Sequence, residues 1–269
     1  LVNYHFKYAD IIVGAPYTNH AFSPSRFINS LSLGIPYHFD GKPKIKVELK
    51  KSVRILHSPS NPIPKGSEII KSVVNKLILK GYRIDFILIR NQPTSVVFDE
   101  IQKCDFVVDQ VYSDTPMSGF ATEAAWFAKP SIVGGYKLFE LKKLVPQSMW
   151  PPSKLCHPDN LEQAIEDLIA NKVERLDLGK RAQAYVSEEW TASKVASRYL
   201  KLINNDIPIG WWVDPTLISY IHGAGISEKK LKKSVSKIIS EFGLNALELY
   251  DRPDLEKAFL ELLKSESIK

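Results

Sequence analysis

The most constraining feature of this chain is a strand-loop-helix-strand pattern between Cys104 and Gly135. The apolar run Phe106-Val107-Val108 ends on Asp109-Gln110, and a loop rich in Ser, Thr, Pro and Gly follows. A small-residue helix, Phe120 to Ala128, is stopped by Lys129-Pro130, and Ser131-Ile132-Val133 runs into Gly134-Gly135. Two short apolar runs joined through a helix predict parallel strands with a right-handed crossover. Such a unit buries both sheet faces and leaves its polar loops at the carboxyl ends of the strands, where helix N-termini point at ligands. Glu123 falls about one turn into the helix, within reach of whatever lies at its start.

The same alternation extends upstream. Val53 to His57 reads as a strand, the loop Ser58 to Gly66 follows, and a helix is expected over 67–80, with Gly81 as its stop. Ile84 to Ile89 reads as a second strand, Asn91-Gln92-Pro93 as a turn, and Val96 to Lys103 as a short helix. The fold expected is α/β, a doubly wound parallel sheet of Rossmann-like type, with a C-terminal helical extension. Residues 136–205 read as mostly helical, and 227–267 as two amphipathic helices divided by Gly243 and Asp251-Arg252-Pro253.

Residues 1–45 do not fit the repeat. Ala9 to Gly14 reads as a buried strand and Pro24 to Leu33 as a helix, too little for a core of their own. The simplest organisation is the end of an N-terminal domain plus linker over 1–45, a Rossmann-like domain over 46–205, and a crossover with C-terminal helices over 206–269. The aromatic, Pro-broken stretch 206–222 suits a crossing between domains better than a membrane contact. The chain begins at Leu1, with methionine only at 117 and 149, so it reads as a piece of a longer protein.

A hydrophobic share of 44% and a charged share of 25% permit a sizeable soluble core. The net charge of +6 is compatible with an anionic partner or with a mildly basic surface that has none. Two cysteines, Cys104 and Cys156, in unlike contexts argue against a disulfide framework or a thiolate metal site and for a reducing compartment. No apolar run reaches the ~18 residues of a membrane span. No metal-ligand spacing, Walker loop or GxSxG elbow is present, and no nucleic-acid-binding module.

Three groups carry candidate chemistry. Lys65 beside Gly66, in a loop with Ser58 and Asn61, is suited to a diphosphate, or is an exposed lysine at a helix start. Ser118, Gly119, Phe120, Ala121 and Thr122 open the helix that carries Glu123. A carboxylate there accepts two hydrogen bonds, as ribose hydroxyls require, or is solvated on an ordinary helix with Ser118 as N-cap. Asn91 and Gln92 either read a base edge or form a turn, and Asp109 and Gln110 either line the site or cap loop amides. His57 reads as structural, and Trp126 and Phe127 as core.

Together the segments ILHSPSNPIPKGSEII, FILIRNQP, CDFVVDQ and GFATEAAWFAKPSIV resemble the C-terminal domain of GT-B glycosyltransferases, in particular the retaining family numbered four (group 1). The resemblance covers about residues 50–135 well and 136–205 more loosely. It implies a glycosyltransferase of hexosyl type that uses a nucleoside diphosphate-sugar donor and no separate cofactor or metal. The acceptor implied is a glycan or lipid-linked glycan in surface polysaccharide synthesis, in the cytoplasm or peripherally at the inner membrane face. By position, Lys65 matches the diphosphate-binding lysine and Glu123 the ribose-binding glutamate. Gly119 to Thr122 match the phosphate and sugar loop, and Asn91-Gln92 the base region. Two positions depart from the family pattern: 60–64 lack its arginine, and Thr115 stands where a second glutamate is common, with Asp114 beside it. The same fold also serves nucleotide-sugar epimerases and phosphorylases, and a non-catalytic binding module is the alternative of another class.

Overall fold

The computed structural model describes residues 8–15, 25–37, 43, 52–218, 221 and 225–265. The expected linker and its 45/46 boundary fall mostly on 38–42 and 44–51, outside the described residues, as do 219, 220 and 222–224 within the aromatic crossing segment. The strands are β1 (Val13–Gly14), β2 (Phe27–Asn29), β3 (Val53–His57), β4 (Ile84–Leu88), β5 (Phe106–Gln110), β6 (Ser131–Gly134), β7 (Lys154–Cys156) and β8 (Trp212–Val213).

Five of them form the central sheet, in the order β4-β3-β5-β6-β7, with every neighbouring pair parallel. Side chains alternate across it with period two. Ile55, Phe106, Val108 and Ile132 face one side, under Ile70, Val74 and Leu77 of helix Ser67–Leu79 and Leu161, Ile165 and Leu168 of helix Leu161–Ala170. Leu56 and Val107 face the other, against Ile101 of helix Thr94–Lys103 and Ala124 of helix Gly119–Trp126. Both faces are therefore apolar and covered, which is why these strands read as continuous hydrophobic runs. Helix Lys172–Glu189 packs behind helix Gly119–Trp126, where Ala121, Ala125, Ala182 and Val186 surround the fully buried Trp190. Trp126 and Phe127 pack partly buried against these clusters, as expected.

The stretch 136–205 is mostly helical, as expected, and also contains β7, a three-residue strand at the edge of the sheet, held by pairing to β6. Two expectations are corrected. Of the described part of the expected helix, 25–33, only Ser30–Leu33 is helical. Phe27 and Ile28 are instead drawn into β2, with no exposed surface, between β1 and β8. The expected strand Ala9 to Gly14 pairs only at Val13–Gly14, and Val13 is 37% exposed because β1 is a sheet edge. This small sheet joins 13–14 and 27–29 to 212–213, so the GWW segment pairs with Phe27 and Ile28. Helices Glu228–Phe242 and Pro253–Lys264 form the C-terminal extension and are tied by Lys232 Nζ to Ser265. Among the described residues no helix is long and apolar enough to cross a membrane.

Candidate functional site

The strand order fixes where a ligand can enter. From β3 the chain moves outward to β4, then returns past β3 to β5. The helix that follows β3 lies on one face of the sheet and the helix that follows β5 on the other. Their loops diverge and leave a crevice at the carboxyl ends of β3 and β5, the topological switch point of an open parallel sheet. Both loops carry the residues singled out from sequence.

On the β3 side, Asn61 caps a short helix, Pro62–Lys65, by accepting from the Ile63 amide at 3.1 Å. Gly66 joins it to helix Ser67–Leu79 in a left-handed conformation, φ 72°. An added Cβ there would lie 2.8 Å from the Val111 side chain, so glycine is required for both backbone and space. This joint aims Lys65 across the crevice toward β5. There the β5–β6 register shifts between Val108 and Gln110, which pair with Ile132 and Val133, and Asp109 is left between them. Lys65 Nζ donates to Asp109 Oδ1 at 2.8 Å, Gln110 Oε1 at 3.0 Å and Ser118 Oγ at 3.2 Å. Ser118 Oγ donates to Asp109 Oδ2 at 2.5 Å, and Gln110 Nε2 to the Thr115 carbonyl at 3.0 Å. The Asp109 side chain is fully buried, so its charge needs this cation. All three N–H groups of Lys65 are thus engaged inside the protein.

His57 lies beneath this network. Its Nδ1 donates to the Val108 carbonyl at 2.7 Å, so its Nε2 accepts from Ser67 Oγ at 2.8 Å. Burial pushes its pKa down to about 4, and the ring is neutral and structural, as its lone position suggested.

The β5 side supplies a helix start. Ser118 is the N-cap of helix Gly119–Trp126, but its side chain makes no capping bond, because it is spent on Asp109 and Lys65. The first-turn amides of Gly119, Phe120 and Ala121 therefore have no side-chain cap, an arrangement that favours an anion. Ala121 and Thr122 are buried and offer backbone only, and Thr122 Oγ1 donates to the Ser118 carbonyl. Phe120 packs beside Leu56 and Ile101. Glu123 is half-buried one turn in. Its Oε1 accepts from Tyr37 Oη at 3.2 Å, and its Oε2 accepts from none of the described residues. Burial raises the Glu123 pKa, the Tyr37 hydrogen bond lowers it, and the Asp109 charge adds to the rise. Tyr37, from the segment after helix Ser30–Leu33, is the site residue that sequence reasoning missed.

Asp114 does not face the crevice. It is fully buried at φ 36°, and its Oδ1 accepts from the Lys137 amide at 2.8 Å. Its Oδ2 has no hydrogen-bond partner among the described residues, and burial pushes its pKa up to about 7. It pins the loop after β6, and a side chain at Gly135 would collide with it. Asp114, the carboxylate beside Thr115, is therefore spent on holding this loop. Ser58 is partly buried at the end of β3, while Asn91 and Gln92 are exposed beyond β4, with Asn91 at φ 54°. The latter two lie on the same end of the sheet as Lys65 and Glu123, one strand further out.

No protein-family model matches the chain, and no curated protein matches it. Solved structures do. A variant of TarM from S. aureus, in complex with fondaparinux, α-GlcNAc-glycerol and UDP, is 12% identical over 62% of this chain and 38% of its own, with a TM-score of 0.46. HepE from Anabaena, in complex with UDP and glucose, is 16% identical over 57% of this chain and 48% of its own, with a TM-score of 0.40. The chain thus spans less than half the length of either structure.

Proposed function

We propose that this chain holds the donor site of a glycosyltransferase acting on a nucleoside diphosphate-sugar. The observation that carries the reading is the meeting, at the switch-point crevice, of a helix start without a side-chain cap and the Glu123 carboxylate, whose Oε2 has no donor among the described residues. The amides of Gly119 to Ala121 are suited to the diphosphate, and Glu123 Oε2 to the ribose hydroxyls. Lys65 contributes a fixed positive charge behind Ser118. For direct contact with a phosphate oxygen it must give up one of its three partners, of which Ser118 is the most distant. As negative charge develops on the leaving diphosphate, the helix start and Lys65 both stabilise it. Asn91 and Gln92 lie on the side suited to the base, and Ser58, Asn61 and Gly66 shape the opposite wall. The reading requires no cofactor or metal ion.

The acceptor in this reading is a glycan or lipid-linked hydroxyl, as in surface polysaccharide synthesis at the inner membrane face. It would be presented by a domain to which 1–45 and the crossing segment belong. A thermal-shift screen of UDP, GDP, ADP and their sugars tests the donor claim: at least one should raise the melting temperature. Product analysis then separates transfer to an acceptor from epimerisation of the donor. A folded protein that responds to none of these nucleotides sinks the reading.

A further inference from the structure

Tyr37 is foreign to the strands and loops that build the site. It follows Gly34 and Pro36, its amide donates to the Trp190 carbonyl at 3.1 Å, and it forms a parallel bridge with Thr191. Its hydroxyl nevertheless lies 3.2 Å from Glu123 Oε1 and 3.3 Å from the Gly119 carbonyl. One hydroxyl proton serves one of these acceptors at a time, and the carboxylate is the stronger. A Cβ added at Gly119 would sit 3.3 Å from the same hydroxyl, tighter than most such contacts. Without Tyr37, the long Glu123 side chain would keep rotamer freedom that ligand binding must remove. With it, Oε1 is tied over the first turn of the helix, and Oε2 has no donor among the described residues.

We propose that Tyr37 is a positioning residue that holds the Glu123 carboxylate in its ribose-accepting orientation. Ribose recognition then depends on a segment 86 positions earlier in the chain, itself anchored to the end of helix Lys172–Glu189. The inference rests on the reading of Glu123 as the ribose acceptor.

The test is calorimetric titration of wild type, Tyr37→Phe and Glu123→Gln with UDP, GDP and ADP and with their 2′,3′-dideoxy counterparts. Phe keeps the ring and its packing, and matching melting curves establish that the variants are folded. Wild type should prefer the ribose form, because a site built to bond a hydroxyl discriminates against its absence. Glu123→Gln should lose that preference. Tyr37→Phe should weaken the ribose form about tenfold and leave the dideoxy affinity at the wild-type value. If Tyr37→Phe weakens both forms equally, changes neither, or tightens the ribose form, Tyr37 does not position Glu123. If wild type shows no ribose preference, the role of Glu123 fails and takes the inference with it. If wild type binds no nucleotide at all, the donor-site reading itself has failed.

Discussion

The two sides of the crevice are built in opposite ways. Lys65, reaching over from the β3 side, is fully spent: Lys65, Asp109, Gln110 and Ser118 satisfy one another, above a neutral His57. On the helix side the first turn has no side-chain cap, and one Glu123 oxygen has no donor among the described residues. The difference teaches that a lysine beside a glycine at a switch point need not be a free ligand. Here its first task is to neutralise a buried carboxylate, and the groups left over for a ligand are mostly amides and Glu123.

The largest effect that would break this contrast is on stability. Lys65→Met leaves Asp109 buried without its cation and should cost about 3 kcal/mol in urea unfolding. Adding Asp109→Asn should recover most of that loss. If Lys65→Met is neutral, the β3 side is not closed. Next in size, Gly66→Ala meets both a left-handed backbone and Val111 and should cost about 2 kcal/mol by the same measurement.

A smaller effect lies in the pH dependence of the buried groups. His57 is depressed to about 4, so its stabilising contribution is complete above its unfolded pKa near 6.5 and is lost as pH falls through 4. Asp114 is raised to about 7, so its contribution is present below its unfolded value near 3.8 and is lost as pH rises through 7. Between about pH 4 and 6.5 the two oppose each other. Asp114→Asn removes one arm, and its melting temperature should fall more steeply on acidification than that of wild type. Equal slopes would contradict the assigned charge states. Smallest of all, Glu123→Gln should change stability by less than about 0.5 kcal/mol, since the open side is not what holds the fold together. A large loss there would erase the contrast.

Much of the sheet was legible in sequence because the centres of β3, β5 and β6, namely Ile55-Leu56, Phe106-Val107-Val108 and Ile132-Val133, are buried and read as short apolar runs. β7 was not, because Lys154-Leu155-Cys156 is too short to show a period and exists only through β6. β2 was misread because Phe27-Ile28-Asn29 is compatible with a helix until Trp212 and Val213 pair with it from far along the chain. The candidate site was legible as residues but not as a network. Nothing local to Lys65 announces Asp109, 44 positions away, and nothing near Glu123 announces Tyr37. The roles of Asp109 and Asp114, five residues apart, differ through the register shift and the backbone turn, which composition does not encode.

Amide hydrogen exchange on the wild-type protein, with and without a saturating nucleoside diphosphate, tests the central claim most directly. The account predicts slowed exchange in the loop and helix start over 111–123 and in the 58–66 loop, with helices Glu228–Phe242 and Pro253–Lys264 unchanged. Protection confined to other surfaces, or no protection by UDP, GDP or ADP, would contradict a donor site at this crevice.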